Sequence, residues 1–322
     1  MPFVDVFNGD ADGICALQQL RLQTPRPAAR LVTGVKRDIV LLARLHDVCD
    51  SDITVLDISL DRNRQALQGL LDRGNRVFYA DHHFSGAIPA SKNLDAHIDP
   101  VPQTCTSLIV DALLAGRWRP WAVVGAFGDN LDEVARQTAA GLGLDDEDVE
   151  KLRETGVLLN YNGYGAALED LFFPPDDLYR QVHRFTDPLD FHDRSPVVPV
   201  LREGYRDDMA RARRFGPCRE FAHGRIFQLP PEPWARRVAG VFSNILARER
   251  PDMAHGLIIA NSDGSLRVSV RAPLNNRTGA DTLCRNFPSG GGRAAAAGIN
   301  HLPAGQAEAF QLAFAEQFKP GG

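Results

Sequence analysis

Several things are missing from this chain, and each absence narrows what it can be. No apolar run approaches the ~18 residues that a membrane-spanning helix requires, and the N-terminus shows no charged segment leading into a hydrophobic one. The five cysteines (Cys15, Cys49, Cys105, Cys218 and Cys284) are odd in number and scattered, with no Cys-x-x-Cys pair. That pattern argues against a disulfide framework or a thiolate zinc site and for reduced thiols. Basic charge is not in excess, since the net charge is −5. No global positive field draws the protein to long nucleic acid, although a local basic groove can sit on an acidic protein. Internal repeats and low-complexity tracts are also absent. A cytoplasmic protein without membrane contact is expected.

What remains is ordinary globular material: 322 residues, 44% of them hydrophobic and 24% charged. That length suits about two domains, each large enough for a core. In the first half, short β-type runs alternate with helical spacing. Phe3 to Asn8 reads as a strand, followed by a helix over Gly13 to Gln23. Ile53 to Asp57 is a second strand, with a helix near Arg62 to Arg73, and Arg76 to Ala80 is a third. Such alternation predicts an α/β domain with a parallel sheet, whose ligands bind beyond the carboxyl ends of the strands.

Acidic residues stand at those ends. Asp10 and Asp12 follow the first strand, Asp57 closes the second, and Asp81-His82-His83 closes the third. Residues 105 to 155 read as mostly helical, interrupted at Gly128-Asp129-Asn130. Each group alone has a bland explanation. Asp10 and Asp12 suit a helix-capping turn, Asp57 an ion pair, the histidines a solvated loop, and Asp129 the N-cap of a helix beginning near Leu131. Together they supply about five mostly anionic ligands, enough for two metal ions that hold a hydroxide and clamp a phosphoryl group.

Beyond Asn160 the texture changes to a Pro- and charge-rich connecting segment with some helix of its own. A second unit follows from about Phe221. It should contain a strand over Gly224 to Leu229, a helix over Trp234 to Arg248, strands over Gly256 to Ala260 and Leu266 to Arg271, and a helix near Ala280 to Asn286. A glycine-rich turn at Ser289 to Gly292 and a last helix from Gln306 complete it.

Taken as a set, these residues resemble the DHH phosphoesterase superfamily of nanoRNase- and RecJ-like enzymes. Asp10 and Asp12 are similar to its first motif, Asp57 to its second, Asp81-His82-His83 to its third and Asp129 to its fourth. The stretch Gly290-Gly291-Gly292-Arg293-Ala294-Ala295-Ala296-Ala297-Gly298, with Ser269-Val270-Arg271 before it, is similar to the DHH-associated C-terminal domain. The resemblance covers nearly the whole chain. It implies an N-terminal parallel-sheet DHH catalytic domain (1–160), a connecting segment (161–215) and a smaller α/β substrate-binding domain (216–322).

The resemblance also implies two Mn2+ or Mg2+ ions. Asp57 would bridge them, Asp10 would serve one, and Asp12, His82 and Asp129 the other. Asp81 and His83 would orient ligands and touch phosphate, while Arg271, Gly290, Gly291, Gly292 and Arg293 would grip substrate. Two positions depart from the pattern. Asn8 stands where relatives place a histidine or aspartate, and Arg293 where they usually have histidine.

The implied activity is hydrolysis of short oligonucleotides or dinucleotides to mononucleotides. Single-stranded DNA exonuclease action and a non-catalytic nucleotide-binding module are the alternatives. A homodimer is admitted.

Overall fold

The computed structural model describes residues 2–319. The chain divides into two compact units, Met1–Glu203 and Gly204–Gly322. The first contains β1 (Phe3–Phe7), α1 (Ala11–Gln23), β2 (Arg30–Val32), β3 (Asp52–Leu56), α2 (Leu60–Asp72), β4 (Arg76–Asp81) and β5 (Leu94–Ile98). The helices α3 (Thr106–Leu113), α4 (Arg119–Gly128), α5 (Asp132–Ala139), α6 (Asp146–Gly163), α7 (Pro175–Val182) and α8 (Pro188–Arg194) follow. The boundary between the units falls within α9 (Val197–Ala212).

All five strands of the first sheet are parallel, in the order β2-β1-β3-β4-β5. Period-two alternation gives the sheet two different faces. Val4, Val6, Ile53, Val55, Val77 and Tyr79 point to one side, where Leu60, Leu67, Leu70 and Leu71 of α2 and the 3-10 turn Leu41–Leu45 cover them. On the other side Asp5 meets α1, and both its oxygens accept from Arg21, at 2.6 and 2.8 Å, in a fully buried pair. Arg21 also donates to Thr54 Oγ1 at 2.7 Å, which ties β1, β3 and α1 together.

On the face of this sheet that carries Asp5, α1 packs with α4 and α6, and glycines line the contacts. A Cβ on Gly128 would lie 2.3 Å from the Ala11 Cβ, and one on Gly156 would lie 2.3 Å from the Val124 carbonyl oxygen. Only hydrogen fits there. This close approach sets the end of α4, and therefore Asp129, beside the start of α1.

The second unit contains β6 (Pro217–Phe221), β7 (Gly224–Leu229), α10 (Pro233–Glu249), β8 (Ala254–Ala260), β9 (Leu266–Arg271), α11 (Ala280–Arg285), β10 (Gly290–Arg293), β11 (Ala296–Leu302) and α12 (Ala307–Gln317). Its six-stranded sheet has the order β10-β11-β9-β8-β7-β6 and is mixed, with only β7 and β8 parallel. One face packs Ile226, Ile258, Val268 and Val270 against Leu283, Phe310 and Phe314 of α11 and α12. Against the strands, α10 packs with Phe242 edge-on to Phe227.

The glycine-rich segment differs from expectation. Residues 290–293 form an edge strand rather than a turn, and β11, not a helix, follows it. Gly292 has φ +142 and a Cβ there would lie 2.5 Å from the Ala297 Cα, so glycine is required for the two strands to approach. No helix among the described residues is long and apolar enough to cross a membrane.

Candidate functional site

Five aspartates converge at the carboxyl edge of the parallel sheet, each delivered by a different local device. Asp10 is the N-cap of α1, and its Oδ1 accepts from the Gly13 amide at 3.1 Å. Asp12, inside the first turn of α1, reaches α3 instead. Its oxygens accept from the amides of Thr106 and Ser107 at 2.7 Å each and from Ser107 Oγ at 2.5 Å, so the carboxylate caps a second helix. Asp57 follows β3 with φ +58, in the left-handed region that costs an ordinary side chain energy and that aspartate tolerates better than most. Asp81 ends β4, fully buried. Asp129 is the residue after α4, two positions before the N-cap of α5, so it closes one helix rather than opening the next.

His82 is oriented from behind. Its Nδ1 lies 3.2 Å from the Thr104 carbonyl oxygen, which can only accept, so Nδ1 carries the proton. Nε2 therefore faces Asp57 Oδ1 at 3.4 Å and Asp129 Oδ2 at 3.8 Å. A carbonyl behind an imidazole, with carboxylates just beyond bonding distance in front, is how metal-binding histidines are arranged. His83 Nδ1 pairs with Asp81 Oδ1 at 2.7 Å. Asp57, His82 and His83 each offer a ligand atom within 4.8 Å of the others.

The electrostatics call for cations. Burial drives the Asp57 carboxyl well above its usual range, and the charges of Asp10, Asp12, Asp129 and Asp81 push it further. Burial also raises Asp129, more than Lys36 lowers it. For Asp10 burial again raises the carboxyl, but the charge and hydrogen bond of Lys36 outweigh it and hold the group below the ordinary range. Burial would lower His83, yet its bond to Asp81 raises it overall. Two buried acceptors, Asn8 Oδ1 and Asp81 Oδ2, have no protein donor. Five carboxylates around one ammonium and the imidazoles of His82 and His83 make a donor set that fits a hard divalent cation.

Lys36, Asn160 and Thr106 belong to this cluster and were not identified from the sequence. Lys36 Nζ donates to Asp10 Oδ2 at 2.5 Å and Asn160 Oδ1 at 3.0 Å, and it lies 3.5 Å from Asp129 Oδ1. Its backbone is pinned by Asn8, whose Nδ2 donates to the Lys36 carbonyl at 3.1 Å, and by its own amide donating to the Gly163 carbonyl at 2.9 Å. Thr106 Oγ1 donates to Asp57 Oδ1 at 3.2 Å. The only signal for Lys36 is its place after a strand in the parallel sheet, and that strand has three residues.

In the second unit, strand register places Arg271 and Arg293 in one row, on either side of Ala296, and continues it through His255 to Arg225. Arg271 Nε donates to Asn244 Oδ1 at 2.7 Å, while Arg293 is exposed at the edge strand. Gly290 and Gly292 are fixed by close contacts, whereas Gly291 faces open space.

Comparison with solved structures identifies the fold. A DHH domain described as belonging to a family of ribosomal proteins matches 98% of this chain and 86% of its own, with TM-score 0.63 and 15% identity. RecJ from Thermus thermophilus in complex with Mn2+ matches 98% of this chain with TM-score 0.60 and 15% identity, and this chain spans 51% of that one. The pGpG-specific phosphodiesterase PggH of Vibrio cholerae matches over 100% of both chains, with TM-score 0.55 and 14% identity. The chain thus has the two-unit fold of DHH-domain proteins. No protein-family model matches it, and neither does any curated protein.

Proposed function

We propose that this protein is a phosphodiester hydrolase, dependent on Mn2+ or Mg2+, that cuts dinucleotides or short oligonucleotides to mononucleotides. The observation that carries the reading is the aim of His82 Nε2 at the buried and mutually repelling carboxylates of Asp57 and Asp129. Asp57, His82 and Asp129 would hold the cation, with Asp10 and Asp12 shaping the site around them. Bound there, a divalent ion lowers the pKa of its water and offsets charge on the phosphate.

The chain's own residues do the rest. Thr106 holds Asp57 in place, and Thr104 fixes the tautomer of His82. As water adds to phosphorus and the bond to the departing nucleoside oxygen breaks, that oxygen must gain a proton. His83 is the donor: Asp81 holds its Nδ1 and favours the imidazolium, leaving Nε2–H to give. Residues 1–160 form the catalytic part and 216–322 the substrate-binding part, where Arg271, Arg293 and the backbone of Gly290, Gly291 and Gly292 engage phosphate. We place the protein in the cytosol, where its five free cysteines stay reduced.

The alternative is a RecJ-like exonuclease on single-stranded DNA, supported by the likeness to RecJ. The likeness to a pGpG-specific phosphodiesterase over the whole of both chains supports the short substrate, and the likeness to RecJ structures supports the exonuclease. Substrate length separates the two. Linear substrates of graded length and cyclic dinucleotides, assayed with Mn2+ and scored by product length, test the proposal. Activity should fall as length grows and vanish in Asp57→Ala or in chelator. Persistence in either condition refutes the metal reading, and a steep preference for long, salt-sensitive substrates favours the exonuclease.

A further inference from the structure

The acidic cluster is already shared between two cationic positions, and a side chain fills one of them. Lys36 Nζ has three N–H bonds and faces three oxygens: Asp10 Oδ2 at 2.5 Å, Asn160 Oδ1 at 3.0 Å and Asp129 Oδ1 at 3.5 Å. The other oxygen of Asp10 accepts from the Gly13 amide. Asp129 divides its oxygens, turning Oδ1 to Lys36 and Oδ2 to His82 Nε2 at 3.8 Å. The second position is marked by His82 Nε2, 3.4 Å from Asp57 Oδ1 and 3.8 Å from Asp129 Oδ2.

The lysine is not a surface residue that has folded in. Its backbone is held at both its amide and its carbonyl, by Gly163 and Asn8, and its ammonium lies 5.6 Å from the centre of the Tyr164 ring. Asn8 therefore acts on the Lys36 backbone through its side-chain amide.

We propose that the Lys36 ammonium is a built-in replacement for one of two metal ions, so that the centre binds a single divalent cation at Asp57, His82 and Asp129. This rests on the metal-dependent reading above and revises the ion count that the family resemblance implies. The ammonium cannot leave with chelator, and it supplies one charge where an ion would supply two. The protein should therefore keep part of its charge compensation when the metal is removed.

Mn2+ titration of the full-length protein, followed by calorimetry and by electron paramagnetic resonance, tests this without reference to turnover. The wild type should bind one Mn2+ per chain with the six-line spectrum of an isolated ion. Lys36→Met, which keeps the buried stem and removes the charge, should bind two, with the broadened spectrum of a coupled pair. Lys36→Arg should stay at one. Two coupled ions in the wild type overturn the lysine's role and leave the metal-dependent reading intact. No bound ion in the wild type overturns both. Stoichiometry in the wild type decides the matter even where Lys36→Met does not fold.

Discussion

Asp57→Asn should make the metal-free protein more stable while destroying its activity. Asp57 is 2% exposed, and the carboxylates of Asp10, Asp12, Asp81 and Asp129 act on it from around the same cleft. Two like charges about 4 Å apart repel by about 4 kcal/mol at an effective dielectric of ~20, before Lys36 and His82 offset part of it. A net stabilisation of roughly 1–3 kcal/mol on removing the charge is the reasonable expectation, or about 2–4 °C in Tm per kcal/mol for a unit of this size. Asparagine is the right probe. It keeps an acceptor for Thr106 Oγ1 and tolerates the left-handed backbone at φ +58.

Differential scanning fluorimetry in chelator and in Mn2+ gives opposite orders. In chelator the variant should melt above the wild type. In Mn2+ at ~100 times Kd the wild type gains about 2.7 kcal/mol and the variant little. Turnover should fall more than about 100-fold, since even outer-sphere partners of a metal are worth 10–100-fold. The sign also fixes a pH effect. A carboxyl raised on folding costs stability when ionised, so metal-free wild type should gain stability as pH falls through that raised value toward the ordinary carboxylate range, and the variant should not. A variant that melts lower than wild type in chelator, or that keeps the full Mn2+ shift, refutes the claim of an uncompensated buried charge.

Three further outcomes follow from other parts of the molecule. Gly156→Ala should cost more than about 2 kcal/mol in urea denaturation and weaken Mn2+ binding, because its Cβ would press on the Val124 carbonyl and Gly128 amide and push α4, with Asp129, away. Arg21→Met should destabilise by roughly 3–5 kcal/mol through the stranded Asp5 carboxylate, and adding Asp5→Leu should recover most of the loss. Burial and then the neighbouring Arg225 lower His255 from 6.5 to about 4. Its contribution is present above pH 6.5 and lost as pH falls through that folded-state value, by about 3 kcal/mol in full. His255→Gln should flatten that part of the stability profile, measured by urea melts of the two proteins at matched pH.

How much of this was readable in the chain depends on what each residue leans upon. The apolar runs of β1, β3 and β4 announce buried parallel strands, and a lone acid at the end of such a run is costly enough to be noticed, so Asp57 and Asp81 stood out. Asp129 enters the set through the family resemblance, and its bland local reading as an N-cap does not hold. Gly128 looked like a helix break before an N-cap, but it is a packing glycine inside α4 whose missing side chain admits Ala11. Lys36 was invisible because β2 has three residues and one buried side chain, Val32. Asn160 sits inside α6, where nothing local distinguishes it from a solvated polar residue. The run Ala294 to Ala297 favours helix by intrinsic propensity, yet Ala294 and Ala295 form the hairpin turn and Ala296 and Ala297 pair with β9 and β10. Residues whose roles are set by strand ends could be read, and residues whose roles are set by distant partners could not.

Diffraction from Mn2+-soaked crystals, with data collected at the manganese absorption edge, reaches the central claim most directly. An anomalous peak about 2.0–2.3 Å from His82 Nε2, shared with oxygens of Asp57 and Asp129, is the predicted result. Strong peaks only at other sites, with His82 and Asp57 untouched, would contradict it.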